Sequence, residues 1–329
     1  MAVRLSSSGL SCDDATPAPA LPAFIDAVLR GIGQVMFQNN AYSGLLFVGG
    51  IFVNSPLFAL GALIGAAVST ATAMGLGLPR AEVRAGLYGF NGALVAIALL
   101  FYLRPDVWLW GCVVLAGAGS TVLMAALTQL LGPWRVPALT APFVFGTMPL
   151  LLASTRWDRL QATPMLPPAA LPEALVVDGV VSAATVVQGL FNGIGQVFFQ
   201  GSVASGLCFA VGLLIASRSA CVAALLGSLA GLLVAAALGA AEPALRAGLY
   251  GFNSVLVAIA LAGVFLVVDR FSIAYALLGA IAAAIAFAAL SAALQPLGLP
   301  TLTLPFVLVT WVFLFAAPRL SRLRAAPAA

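Results

Sequence analysis

Apolar residues run along this chain in long blocks, and the few charged residues sit between the blocks in short clusters. Arg80, Glu82 and Arg84 form one cluster, followed by Arg104 and Asp106, then Arg156, Asp158 and Arg159, then Glu242 and Arg246, then Asp269 and Arg270. Charge at such intervals predicts loops, and the stretches between them predict helices that cross or enter a hydrocarbon core of roughly 30 Å. In the first half the blocks lie near 22–40, 42–54, 57–78, 85–103, 107–131 and 137–154, and in the second near 180–200, 203–216, 220–239, 247–267, 271–294 and 300–317. A span needs about 20 apolar residues, so the shortest blocks predict re-entrant half-helices. The expected fold is an all-α integral membrane protein of about ten transmembrane helices plus two re-entrant half-helices around a central pore, five spans and one half-helix per half. An odd number of spans per half inverts the second half relative to the first and puts both termini on one side. The expected divisions are an N-terminal tail 1–22, a first repeat 23–157, a linker 158–178 carrying Pro164, Pro167, Pro168 and Pro172, a second repeat 179–318 and a C-terminal tail 319–329.

Composition narrows this picture. Apolar residues make up 63% of the 329 residues and charged ones 7%, where a soluble domain carries about 25% charge. The net charge of +4 comes from scattered loop and terminal arginines, without the clustering and stacking aromatics of a nucleic-acid surface. Arg319, Arg322 and Arg324 predict a cytoplasmic C-terminus. Residues 1–22 contain Asp13 and Asp14 and lack the apolar core of a cleaved signal peptide. Every fixed cation is Arg, there is no Asn-x-Ser/Thr acceptor, and alanine is abundant. A multi-pass protein of a bacterial cell inner membrane, with the lipid bilayer as its solvent, is the expectation. Cys12, Cys112, Cys208 and Cys221 show neither a disulfide framework nor metal-ligand spacing, so no metal and no cofactor is expected.

The halves are copies. RAGLYGFNGALVAIAL from Arg84 returns as RAGLYGFNSVLVAIAL from Arg246, fourteen of sixteen positions identical. GIGQVMFQNNAYSG from Gly31 is answered 162 residues later by GIGQVFFQGSVASG from Gly193, and LTAPFVFGT from Leu139 returns as LTLPFVLVT from Leu302, one residue further on. Duplicated halves of a membrane chain build one pathway at their interface, so function is to be sought in the pairs.

The residues exclude several chemistries. Ion-coupled carriers and proton pumps need ionisable groups inside the membrane, yet this chain has no His and no Lys, and outside the N-terminal tail and Glu173 of the linker only Asp26 and Asp178 stand away from a loop arginine. No nucleophile with its base is evident, which argues against an enzyme. A passive path for a neutral polar solute remains. Gln34 and Gln196 are equivalent amides in apolar surroundings, and an unsatisfied amide there costs roughly 2–7 kcal/mol, so each serves either as interhelical glue or as a pore-lining group. Phe37 and Phe199 follow three residues later, on nearly the same helical face. Thr140 and Thr303 precede Pro142 and Pro305 by two residues. A membrane-helix proline frees a carbonyl, which the threonine caps locally or which joins the hydroxyl as a row of acceptors, extended by Thr147 and Thr310. Phe90 with Leu94, and Phe252 with Leu256, are i, i+4 pairs that would make flat walls.

The doubled GxGQVxFQ, GLYGFNGxLV and LTxPF blocks, in this order from about Asp26 to Leu320, resemble the urea transporter family, including its bacterial channels. The resemblance implies a homotrimer in which each protomer has its own pore between two inverted halves, passing urea by facilitated diffusion. It implies that Gln34 and Gln196 lie on oxygen-lined edges, that Phe37, Val197 and Phe199 line the slot, that Phe90, Phe252, Leu94 and Leu256 form its walls with Phe90 opposite Phe252, and that Thr140 and Thr303 occupy the constricted middle. Some members carry Glu where this chain has Gln196, so a mechanism requiring that carboxylate does not transfer. Other small neutral solutes, such as short amides, water and ammonia, are the alternative cargo.

Overall fold

The computed structural model describes residues 4–11, 20–172 and 179–327. Cys12, Asp13, Asp14 and Asp178 lie outside them, as does the end of the linker. The described fold is helical apart from a small antiparallel hairpin, β1 (Arg4–Ser6) and β2 (Gly9–Ser11), within the expected tail. Its turn docks on the body: Ser8 O accepts from the Ala41 amide at 2.9 Å, and Ser7 O from Asn40 Nδ2 at 3.2 Å.

The first half folds as α1 (Ala20–Gln34), α2 (Ala41–Asn54), α3 (Pro56–Gly75), α4 (Arg80–Arg84), α5 (Gly89–Tyr102), α6 (Val107–Leu131) and α7 (Ala141–Ser154). The second repeats it as α8 (Ala183–Gly195), α9 (Val203–Ala216), α10 (Arg218–Ala237), α11 (Glu242–Arg246), α12 (Phe252–Ile259), α13 (Arg270–Leu294) and α14 (Leu304–Ala316). The caps repeat as well. Ser55 and Ser217 open α3 and α10, and Asp106 and Asp269 open α6 and α13, each side chain accepting first-turn amides.

Among the described residues, four helices are long and apolar enough to cross a membrane unaided: α3, α6 continued to Trp134, α10, and α13 continued to Leu297. α8 with its terminal turn and α9 form a broken pair bent by 73°, and α2, α5, α7, α12 and α14 are shorter apolar helices. The long outer helices turn apolar side chains such as Leu115, Val122 and Leu278 outward, as lipid-facing surfaces do. By contrast α5 is buried on every face from Gly89 to Leu100, and α12 from Asn253 to Ile259. An all-round apolar helix belongs in the interior, and these two form the central column of each half.

The one-residue drift between repeated blocks has a physical location. After α12 the chain runs through a π-helical turn, Ala260–Val264, with Ala262 and Gly263 in non-helical conformations. Ile97 matches Ile259 at 162, whereas Asp106 matches Asp269 at 163, so the extra residue falls in this turn. A helix absorbs a single insertion as a π-bulge. Beyond it the halves match again, with a bridge between Leu103 and Ala162 answered by one between Leu266 and Ala325.

The halves meet through equivalent groups. Ser43 Oγ donates to Gly212 O at 2.7 Å, and its counterpart Ser205 Oγ donates to Gly50 O at 2.8 Å. Phe47 and Phe209 touch at 5.6 Å between centroids, each lodged where the other half has a glycine, since a Cβ on Gly50 or Gly212 would lie 2.6 Å from the opposing ring. Mutual exchange of identical contacts is the pattern of a two-fold axis.

Candidate pore

Gln34 closes α1 and Gln196 follows α8, each at the start of a tight turn. The chain then enters the left-handed region at Phe37 (φ 62°) and Phe199 (φ 60°), which costs about 1–2 kcal/mol for a side chain with a Cβ. The glutamine-to-phenylalanine step is thus a turn, where an uninterrupted helical face was expected. Gln38 and Gln200 hold it, donating from Nε2 to the carbonyls of Met36 and Phe198 at 2.6 Å. The turn throws each phenylalanine across to the other half: Phe37 packs edge-on to Phe265 and Phe306, and Phe199 onto Phe101, Tyr102 and Phe143.

The two glutamines are tethered alike. Gln34 Nε2 donates to Ala85 O at 2.9 Å, and Gln196 Nε2 to Ala247 O at 3.0 Å. These carbonyls precede Gly86 (φ 78°) and Gly248 (φ 77°), where a Cβ would fall 2.3 and 2.2 Å from the backbone nitrogens of Gly31 and Gly193. Only glycine permits that approach. Tethering the nitrogen fixes the amide's sense, and among the described residues no donor is bonded to either glutamine oxygen. In the second half the residue before the anchor is held in turn: Asn192 Nδ2 donates to Arg246 O at 2.8 Å, and the Arg246 guanidinium holds Glu242 at 2.6 Å. Hydrogen bonds from Arg246 and then Thr185 hold the Glu242 carboxyl below its ordinary range. Asp26, which looked solitary, pairs with Arg30 at 2.6 Å.

Thr140 and Thr303, one from each half, are both buried, with their hydroxyls 2.6 Å apart. Neither caps its own helix. Pro142 and Pro305 stand in the first turns of α7 and α14, where a proline frees no carbonyl, so the expected row of acceptors at these two prolines does not form. The preceding Leu139 (φ 53°) and Leu302 (φ 50°) are left-handed and are held by residues that sequence reasoning passed over. Asn91 Oδ1 accepts from the Phe143 amide at 3.0 Å while its Nδ2 reaches Leu139 O, and Asn253 does the same with Phe306 and Leu302. Both asparagines belong to the doubled GLYGFN block, which was the available signal. Thr147 and Thr310 are fully buried and their hydroxyls have no partner.

A cavity of about 510 Å³ brings together Gln196, Val197, Phe199, Phe252 and Thr303. Phe101 and Tyr102 of the first half and Pro167 and Pro168 of the linker complete its wall, which contains no charged side chain. Leu94 and Leu256 are fully buried in the central column. Phe90 is buried too and does not line this cavity, while Phe252 packs edge-on to Phe287. Gln34, Phe37 and Thr140 are the matching residues of the first half.

The profile of the urea transporter family matches residues 25–318, which takes in every one of these residues. The chain belongs to the urea transporter family. It is 33% identical over 300 residues to urea transporter 1 of Capra hircus and to that of Ovis aries, and 31% identical to that of Rattus norvegicus, in each case covering 90% of this chain and 78% of the relative. Membership makes the chain a membrane transport protein, not an enzyme.

Proposed function

We propose that this transporter passes urea by facilitated diffusion, through a pore within each protomer that runs from Gln34, Phe37 and Phe90 past Leu94, Leu256, Thr140 and Thr303 to Gln196, Val197, Phe199 and Phe252. The observation that carries the reading is the pair of tethered glutamines, whose oxygens have no protein donor among the described residues. Urea is flat, neutral and rich in N–H donors. It exchanges hydration for a glutamine oxygen beside aromatic faces, then for the threonine hydroxyls. The Thr140–Thr303 bond opens as each hydroxyl turns to the solute, and swapping one hydrogen bond for another costs little net free energy. An ion meets no compensating charge and faces the full desolvation cost. Several moderate sites in series admit the solute without trapping it.

In this reading the repeats 23–157 and 179–318 are inverted about an axis in the membrane plane, the shorter helices pair to bring the number of crossings to about ten with two re-entrant elements, and three protomers assemble in a cell inner membrane. The two-fold exchange between α2 and α9 supports the repeat relation, and the arginines after α14 support a cytoplasmic C-terminus. Stopped-flow light scattering on proteoliposomes tests the function: urea flux is expected to follow the concentration gradient, carry no current and ignore proton and sodium gradients. A current or a gradient requirement overturns the passive reading, and equal or faster passage of formamide or acetamide shifts it to a general small-amide channel.

A further inference from the structure

The π-helical turn leaves a second cavity, of about 250 Å³, far from the glutamines and between α10, α12 and α13. In the first half the equivalent space is filled: Leu100 packs onto Gly61, with its Cδ1 2.4 Å from where a Cβ would be. At the matching positions the second half has Ala262 and Ala223, and both line the cavity with Ala258 and Ala276. Val222 and Leu226 form its outer rim and are exposed, so the groove opens sideways from the helix bundle, toward lipid rather than into the pore.

The mouth of the groove is basic. Arg218, at the start of the spanning helix α10, lines it beside Ser219, and among the described residues no carboxylate pairs with Arg218. Val268 of the same wall adjoins the segment where α13 begins and the C-terminal chain docks, with Val267 N donating to Arg324 O. That end carries Arg270 and Arg322, both stacked on Phe271, and Arg324, against the single carboxylate of Asp269. The corresponding first-half positions are Pro56, Val107, Arg159 and Gln161, beside Asp106 and Asp158. One end of the second half is therefore basic, whereas its counterpart is balanced. An excess of arginine at helix ends marks the cytoplasmic leaflet, where anionic lipids concentrate.

We propose that this groove is a binding site for one anionic phospholipid, its phosphate on Arg218 and Ser219 and part of one acyl chain in the space that Leu100 fills in the other half. The occupant is amphipathic because the groove is: apolar depth, guanidinium rim and a lateral opening between membrane helices. The site goes beyond urea conduction and uses none of the pore residues.

Native mass spectrometry of the detergent-purified full chain, titrated with phosphatidylglycerol or with phosphatidylcholine of the same acyl chains, tests it. The wild type is expected to retain phosphatidylglycerol about fivefold better, the worth of one arginine near an anionic group. Arg218→Gln should erase that preference while leaving retention of phosphatidylcholine unchanged. Ala262→Leu, which restores the first half's filler, should lower retention of both lipids, as should Ala223→Leu from the opposite wall; normal urea flux in either variant certifies the fold. Equal retention of the two lipids by the wild type, or undiminished retention by a filled variant with normal flux, overturns the proposal. So does a Val222→Cys variant that forms disulfide-linked dimers in the membrane, because a second copy then covers the groove.

Discussion

Each pore glutamine is useful because of what its nitrogen does. Donating to Ala85 or Ala247 turns the oxygen away from the anchor, which in the proposed pore presents it to the solute, so replacement by leucine removes both the tether and the acceptor. Gln34→Leu or Gln196→Leu is expected to lower urea flux by at least tenfold with the fold intact, as read by stopped-flow beside a thermal melt. Gln196→Glu separates the two roles. A carboxylate keeps the acceptor but cannot donate to Ala247 O, so its urea flux is expected to fall below that of the wild type while staying above that of Gln196→Leu. The asparagines answer a different question. Asn253→Leu leaves the Phe306 amide without its partner, costing about 1–3 kcal/mol, and is expected to lower the thermal midpoint clearly, as is Asn91→Leu. Thr147→Val removes a buried hydroxyl that has no partner and should raise stability by about 1 kcal/mol. The glutamines, phenylalanines and threonines were legible in the sequence because each recurs in its doubled block. Asn91 recurs too, but its meaning depends on a strained leucine 48 positions away, a relation that spacing does not carry.

At the level of elements, the sequence pattern marks where apolar chain runs but not where it turns. Breaks at Phe37 and Phe199 occur inside apolar blocks, without proline or glycine at the strained residue, because packing against opposing rings outweighs the local penalty. The π-turn is equally silent, visible in sequence only as a one-residue drift. Gly263, at φ 148°, is its hinge, and Gly263→Val is expected to destabilise the fold by more than about 1 kcal/mol, measured by thermal unfolding in detergent. The short helix α11 carries a pH consequence. Glu242 has its pKa depressed in the folded chain, so its pairing with Arg246 stabilises above the ordinary carboxylate value of 4.5 and is lost as pH falls through the lowered one. Glu242→Gln should flatten the acid limb of a stability profile measured between pH 3 and pH 7 by lowering stability in the neutral region, leaving the acid end little changed.

For the whole molecule, composition marked the membrane class and the doubled blocks marked the duplication of the sequence, since both are properties of the chain rather than of its partners. The count of spans was less legible. A helix buried in the protein, such as α5, and a helix turned to lipid, such as α6, are equally apolar, because hydrocarbon and protein interior solvate side chains alike. The hairpin Arg4–Ser11 lay inside a segment that reads as polar tail, and its bonds to Asn40 and Ala41 give it a place. The reciprocal Ser43 and Ser205 contacts reach further, to how such a chain comes to exist. A surface that gives and receives the same serine bond and the same ring-into-glycine fit recognises its own copy, so a single half carries what it needs to pair. Fusion then joins chains that already associate, and the linker acts as a tether that raises effective concentration. Two polypeptides severed within 158–178 and expressed together are expected to copurify and conduct urea, and failure to associate would mean that the joined chain, not the matched surface, holds the halves in place.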